Sequence, residues 1–83
     1  MVKFLVLVNG QMLISGIEEV GADIGEPDCK LSKPFVYDRE TKTLSPWLFE
    51  FTNQDTCLIS SEKILTIVDP KKTLIDKYEE LIK

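Results

Sequence analysis

The residues that could do chemistry are few, and their spacing does not assemble them. Serine offers nucleophile candidates at Ser15, Ser32, Ser45, Ser60 and Ser61, but the chain has no histidine, so no Ser-His pair can activate one of them. Carboxylates come in pairs at Glu18-Glu19 and Asp38/Glu40. Adjacent residues of a strand point to opposite faces, so Glu18 and Glu19 cannot act on one substrate, and both pairs read as solvated surface. Cys29 and Cys57, without histidine, cannot supply the four ligands of a structural zinc site. They read as small hydrophobes near or in strand-like runs, with a single disulfide as the alternative. Tyr78 falls on an apolar helical stripe and reads as packed rather than catalytic. The inventory predicts a protein that is not an enzyme and takes no cofactor or metal.

Two groups invite a nucleic-acid reading. Trp47, Phe49 and Phe51 recur at period two, and aromatic faces bind unpaired bases at ~1–3 kcal/mol each. Such platforms are interleaved with lysine or arginine, whereas Leu48 and Glu50 intervene here; the row reads as core or subunit-interface packing. Lys30, Lys33, Arg39 and Lys42 lie close in sequence, either as a basic patch or as scattered charges around a hairpin. With 14 acidic against 10 basic residues and a formal charge of −4, the molecule as a whole repels a polyphosphate. Nucleic-acid binding would need a local basic patch.

A chain of 83 residues predicts one domain, 1–83, and folding at this size hides only about 60% of the surface of the unfolded chain. Self-association is one way to supplement so small a core. The opening run Phe4 to Val8 is shorter than the roughly 7–15 residues of a secretory apolar region, and no stretch approaches the ~20 apolar residues of a membrane span. The expectation is a cytoplasmic protein without membrane contact.

The elements follow from turn chemistry and periodicity. Asn9-Gly10 between Phe4–Val8 and Met12–Ile14 predicts a hairpin with a two-residue type I′ turn. The first strand, Lys3 to Val8, has apolar residues on both faces. The second, from Gln11 towards Val20, carries Gly16 in its middle, which marks a bulge, a bend or a close approach. Gly21 to Asp28 is a loop. The third strand, Cys29 to Tyr37, contains Pro34, which points to an edge or an irregular position. A fourth starts near Leu44 and carries the aromatic row to Phe51, Cys57-Leu58-Ile59 resumes the extended pattern, and Ile64 to Val68 is the last strand. Asp69 as N-cap and Pro70 as first helical residue open a C-terminal amphipathic helix, about residues 70–83. Its stripe is Leu74, Ile75, Tyr78, Leu81 and Ile82.

Five strands, an Asn-Gly hairpin, a glycine in a bent second strand and a short turn before the last strand together resemble the Sm-like family of small β-barrels. Its first motif resembles Asn9-Gly10-Gln11-Met12-Leu13-Ile14-Ser15-Gly16-Ile17, and its second resembles Ile59-Ser60-Ser61-Glu62-Lys63-Ile64-Leu65-Thr66-Ile67. Over its full length the chain is similar to small Sm-like proteins of unknown function from marine phages and environmental samples. The resemblance implies a mainly β fold: a small, strongly bent five-stranded barrel over about residues 3–68 with a C-terminal α-helix. It also implies a ring of about five to seven copies, in which the last strand pairs with the strand around Leu58-Ile59 of a neighbour. Leu58, Ile59, Ile64, Leu65, Ile67 and Val68 are then the subunit interface.

Family members that bind uridine-rich RNA use an acidic residue and an asparagine after the second strand and an Arg-Gly pair before the last. The corresponding positions here are Asp23 or Asp28, with no asparagine between Gly21 and Leu31, and Ser60-Ser61 in place of Arg-Gly. The guanidinium that would stack on a base or bind phosphate is missing. Two functions of different class are therefore expected. One is a non-enzymatic ring-forming scaffold holding a protein partner, phage-encoded and acting in a bacterial cytoplasm; the other is a diverged RNA-binding ring.

Overall fold

The computed structural model describes residues 2–82. Six strands and one helix follow in chain order: β1 (Val2–Leu7), β2 (Met12–Glu19), β3 (Cys29–Asp38), β4 (Thr43–Pro46), β5 (Thr56–Ile59), β6 (Ile64–Val68) and α1 (Lys72–Ile82). All strand pairs are antiparallel, in the order β4-β3-β2-β1-β6, with β5 also on β3. The expected fourth strand is divided. It leaves β3 at Pro46, passes through a loop, and returns as β5 to pair with the first half of the same strand.

The opening hairpin forms, but its turn is not type I′. Gly10 has φ +92° while Asn9 keeps a negative φ. Gly10 N–H donates to the Leu7 carbonyl at 2.9 Å, and the Leu7 and Gln11 backbones close the pair at 2.8 Å. This is a turn followed by a glycine bulge, and only the bulge position needs positive φ. Asn9 instead uses its side-chain oxygen to accept from Gln11 N–H at 3.0 Å.

Gly16 and Pro34 lie together at the main bend. The β2–β3 register shifts between Ile14 and Gly16, and Lys33 takes φ +50° just before Pro34. Proline lacks the donor that a regular ladder would demand. Of the two roles expected for Pro34, the irregular one holds and the edge one fails, because β3 is paired on both sides. A Cβ on Gly16 would stand 3.3 Å from Ser32 Cβ, so any larger residue here crowds the facing strand.

The bend separates two cores on opposite faces. Leu5, Leu7, Leu13 and Leu31 are buried on one, and Trp47, Cys57, Ile59 and Ile64, from both ends of the sheet, pack on them. Residues from opposite ends can meet there only because the sheet curls. Among the described residues, however, no ladder joins β5 to β6, so the sheet is not closed by its own strands. Ile14, Phe35 and Tyr78 form the second core, with Val2, Phe4, Leu44, Leu74 and Ile82 around them.

That second core is made by α1 lying on its own sheet. The helix starts at Lys72, two residues later than Asp69-Pro70 predicts, and the Lys71 carbonyl accepts from Leu74 and Ile75 N–H. The Asp69 carboxylate is ion-paired with Lys3 instead of capping. Leu74, Tyr78 and Ile82 face the sheet while Leu81 stays exposed; Lys83 lies outside the described residues. Tyr78 stands edge-on to Phe35 at 5.5 Å, and its hydroxyl donates to the Lys33 carbonyl at 2.8 Å, inside the bend. With 11 residues, α1 is too short and polar to cross a membrane.

Removing that hydroxyl in Tyr78→Phe leaves a carbonyl of the bend without its donor, which costs about 1–2 kcal/mol. Thermal melting followed by circular dichroism should show a drop of about 4–8 °C per kcal/mol for a domain of this size. Truncation after Val68 should lower the melting temperature further or precipitate the protein. Melting curves unchanged in both would mean that α1 contributes nothing to the sheet.

Candidate functional site

Of the four positions assigned to a nucleotide pocket, the fold brings two into direct contact. Asp28 ends the loop after β2, and Ser61 opens the 3₁₀ turn Ser61–Lys63 between β5 and β6. Ser61 N–H donates to Asp28 Oδ1 at 2.7 Å, and Ser61 Oγ to Asp28 Oδ2 at 2.8 Å. Both carboxylate oxygens are thus engaged. The bonds from the Ser61 backbone and hydroxyl hold the Asp28 carboxyl below its ordinary value of 3.8. Ser60 does a different job: its Oγ accepts from Glu62 N–H at 3.3 Å and caps the turn. Asp23 belongs to an exposed loop turn, where its carbonyl accepts from Glu26 N–H, and it takes no part in the clasp.

A groove of about 590 Å³ runs beside the clasp, with Ile17, Cys29, Ile64 and Ile67 among its walls and Glu18, Glu19 and Lys3 on its rim. Its chemistry is apolar and acidic. Burial pushes the thiols of both Cys29 and Cys57 up, Cys29 further by the negative charge of Asp28. They are free, and a raised thiol is a poor nucleophile.

The residues expected at a subunit interface divide into two groups. Ile59 and Ile64 turn inward onto the leucine core. Leu58, Leu65, Ile67 and Val68 are 59%, 68%, 49% and 49% exposed. They lie on β5 and β6, each of which, like β4, has a single strand partner among the described residues.

The aromatic row is not a row. β4 ends at Pro46, residues 47–51 form turns, and Leu48 adopts φ +65°. Trp47 packs on the leucine core, whereas Phe49 and Phe51 are exposed. Trp47 N–H still bonds across to the Pro34 carbonyl at 2.9 Å, but Pro34 has no N–H with which to continue the ladder, and the chain then turns away, with Phe51 N–H closing onto Leu48.

Nor do the four basic residues close in sequence form one patch. Lys30 sits at the start of β3 opposite Glu18, at 3.9 Å, while Arg39 and Lys42 occupy the turn at the far end. A basic rim that sequence proximity missed does exist, where Lys42 meets Lys71 and Lys77 of the C-terminal segment beside a second groove. Only the docking of α1 on the sheet brings them together, and no local pattern encodes it.

A curled antiparallel sheet with one face covered by a C-terminal helix, and with a carboxylate-serine clasp between two loops, defines a small β-rich protein. The chain belongs to a family described as "Family of unknown function (DUF6561)", which matches residues 1–83. None of the curated proteins compared with it matches.

Asp28→Ala should destabilise the protein at neutral pH. Because the folded pKa lies below the unfolded one, the contribution of the clasp is complete above about pH 3.8 and is lost as pH falls through the folded value. Urea melts of parent and variant should therefore differ at neutral pH and converge in acid below pH 3.8. A gap that persists unchanged in acid would show that the charge on Asp28 is irrelevant to the clasp.

Proposed function

We propose that the chain is a non-enzymatic module that self-associates head to tail through the outer edges of β5 and β6, forming a closed ring that serves as a scaffold. The observation that carries the reading is the coincidence of unpaired backbone and exposed apolar side chains on the same two strands. A free edge lined by leucine, isoleucine and valine is an aggregation hazard unless another strand covers it. β5 and β6 lie towards opposite ends of the sheet, so their pairing between copies is heterologous, and a heterologous contact closes into a ring when its rotation permits. The Sm-like resemblance sets the expected size at about five to seven copies and supplies the barrel-like reading of the curl. The exposed Phe49 and Phe51 are where a protein partner would dock on such a ring.

Light scattering coupled to size exclusion should give the mass of about five to seven chains. Leu58→Lys blocks one edge, and Leu65→Lys with Ile67→Lys blocks the other, so each variant alone should elute as a monomer. Mixed in equal amounts, they should form a heterodimer, because one intact edge of each kind survives. A parent that is monodisperse and monomeric at micromolar concentration overturns the reading.

The RNA-binding alternative finds its favouring observation in the contact between Asp28 and Ser61, since the two loops assigned to a nucleotide pocket do adjoin. Its chemistry is unfavourable, because the clasp occupies the carboxylate and the nearby groove is rimmed by Glu18 and Glu19. Fluorescence anisotropy with labelled oligo-uridine should give micromolar or weaker binding at physiological salt. A nanomolar, salt-sensitive complex would reverse the order of the two readings.

A further inference from the structure

The helix does not cover its face of the sheet completely. Alongside the first turns of α1 lies a groove of about 540 Å³, within the range of small-molecule sites. Phe4, Tyr37, Val68 and Leu74 give it an apolar wall, with Phe4 and Tyr37 edge-to-face at 6.3 Å. Lys42, Lys71 and Lys77 also line it. The one acidic residue among the lining, Asp69, is already paired with Lys3. Lys77 Nζ donates one hydrogen bond to the Lys42 carbonyl at 2.8 Å, which ties helix to hairpin and leaves the ammonium further donors. In a chain of net charge −4, these lysines form a local excess of positive charge next to an apolar surface.

We infer that this groove binds a small amphipathic anion, a single carboxylate head on an alkyl or aryl body. The body covers the Phe4, Tyr37 and Leu74 surface and the head meets Lys71 and Lys77. A polyanion fits poorly, because the basic rim is short and the rest of the molecule repels it. A neutral apolar ligand would leave the lysines without a counter-charge. The site touches the proposed ring edge only at Val68; its other lining residues lie outside that edge, and it does not require the ring.

Calorimetric titration of the full chain with dodecanoate tests the assignment, with dodecyltrimethylammonium as a probe of equal chain length and opposite charge and acetate as the head alone. One dodecanoate per chain should bind saturably with a dissociation constant in about the micromolar range. The cationic amphiphile and acetate should each bind at least about tenfold more weakly. Lys71→Glu with Lys77→Glu should weaken dodecanoate at least about tenfold, and the milder Lys71→Gln with Lys77→Gln should weaken it less, should the charge reversal impair folding. Lys63→Glu, a charge reversal in the 3₁₀ turn before β6 and outside the groove lining, should leave the affinity unchanged. Equal binding of anionic and cationic amphiphiles, the absence of saturation, or indifference to the lysine substitutions overturns the inference.

Discussion

The fold depends on the hydrogen bonds that satisfy the backbone where the sheet bends. The register shift at Ser15–Gly16 and the left-handed Lys33 free carbonyls that a regular ladder would have used. Two hydroxyls take them up. Ser15 Oγ, fully buried, lies 2.8 Å from the Gly16 carbonyl and 3.1 Å from that of Ser32. Tyr78 Oη donates to the Lys33 carbonyl, with the Ser32 carbonyl 3.4 Å away. A buried carbonyl left unpaired costs about 1–3 kcal/mol, which a domain of this size cannot absorb repeatedly. The curl that brings Trp47, Cys57, Ile59 and Ile64 onto the leucines follows from that bend.

The bend also explains why β3 has two successive partners on one side. Its second half pairs with β4 and its first half with β5, and the change comes at Lys33–Pro34. A straight partner strand could not follow a strand that turns so sharply. The intervening chain is expelled as the loop 47–55, which carries Phe49 and Phe51 outward while Trp47 stays on the core. The same turn exposes the Lys33 carbonyl to the face where Tyr78 reaches it, so helix docking and loop expulsion share one cause.

Much of this architecture was legible in short-range patterns. The Asn9-Gly10 hairpin, the bulge at Gly16, the irregularity at Pro34 and the stripe of α1 follow from backbone preferences that act over a few residues. Where reading failed, a longer-range partner had decided. Trp47, Phe49 and Phe51 alternate as a strand would, but the ladder stops where Trp47 meets Pro34, which has no N–H to give. Asp69 has the side chain of a helix cap, but Lys3, at the other end of the chain, claims it. The exception is local: Asn9 could adopt positive φ, yet its side chain bonds to Gln11 two residues on and leaves Gly10 alone to do so. Of the pocket positions, Asp28 and Ser61 were named only through a resemblance, and their hydrogen bonds to each other had no sequence signal. Composition alone would not have joined two residues so far apart in the chain, and the basic rim of Lys42, Lys71 and Lys77 had no sequence signal.

The ladder between β1 and β6 has a consequence for how the molecule is made. It pairs Phe4 with Val68 and Leu5 with Ile67, joining β1 to a strand far along the chain. β1 can zip with β2 as soon as the hairpin leaves the ribosome, but its other edge stays open until β6 has emerged. Contacts that span so much sequence form late and slowly. During that interval a nascent chain carries an uncovered apolar strand, and neighbouring chains on one message present the same strand to it. Translation speed between the codons for β2 and those for β6 therefore governs how long the wrong partner has access to β1.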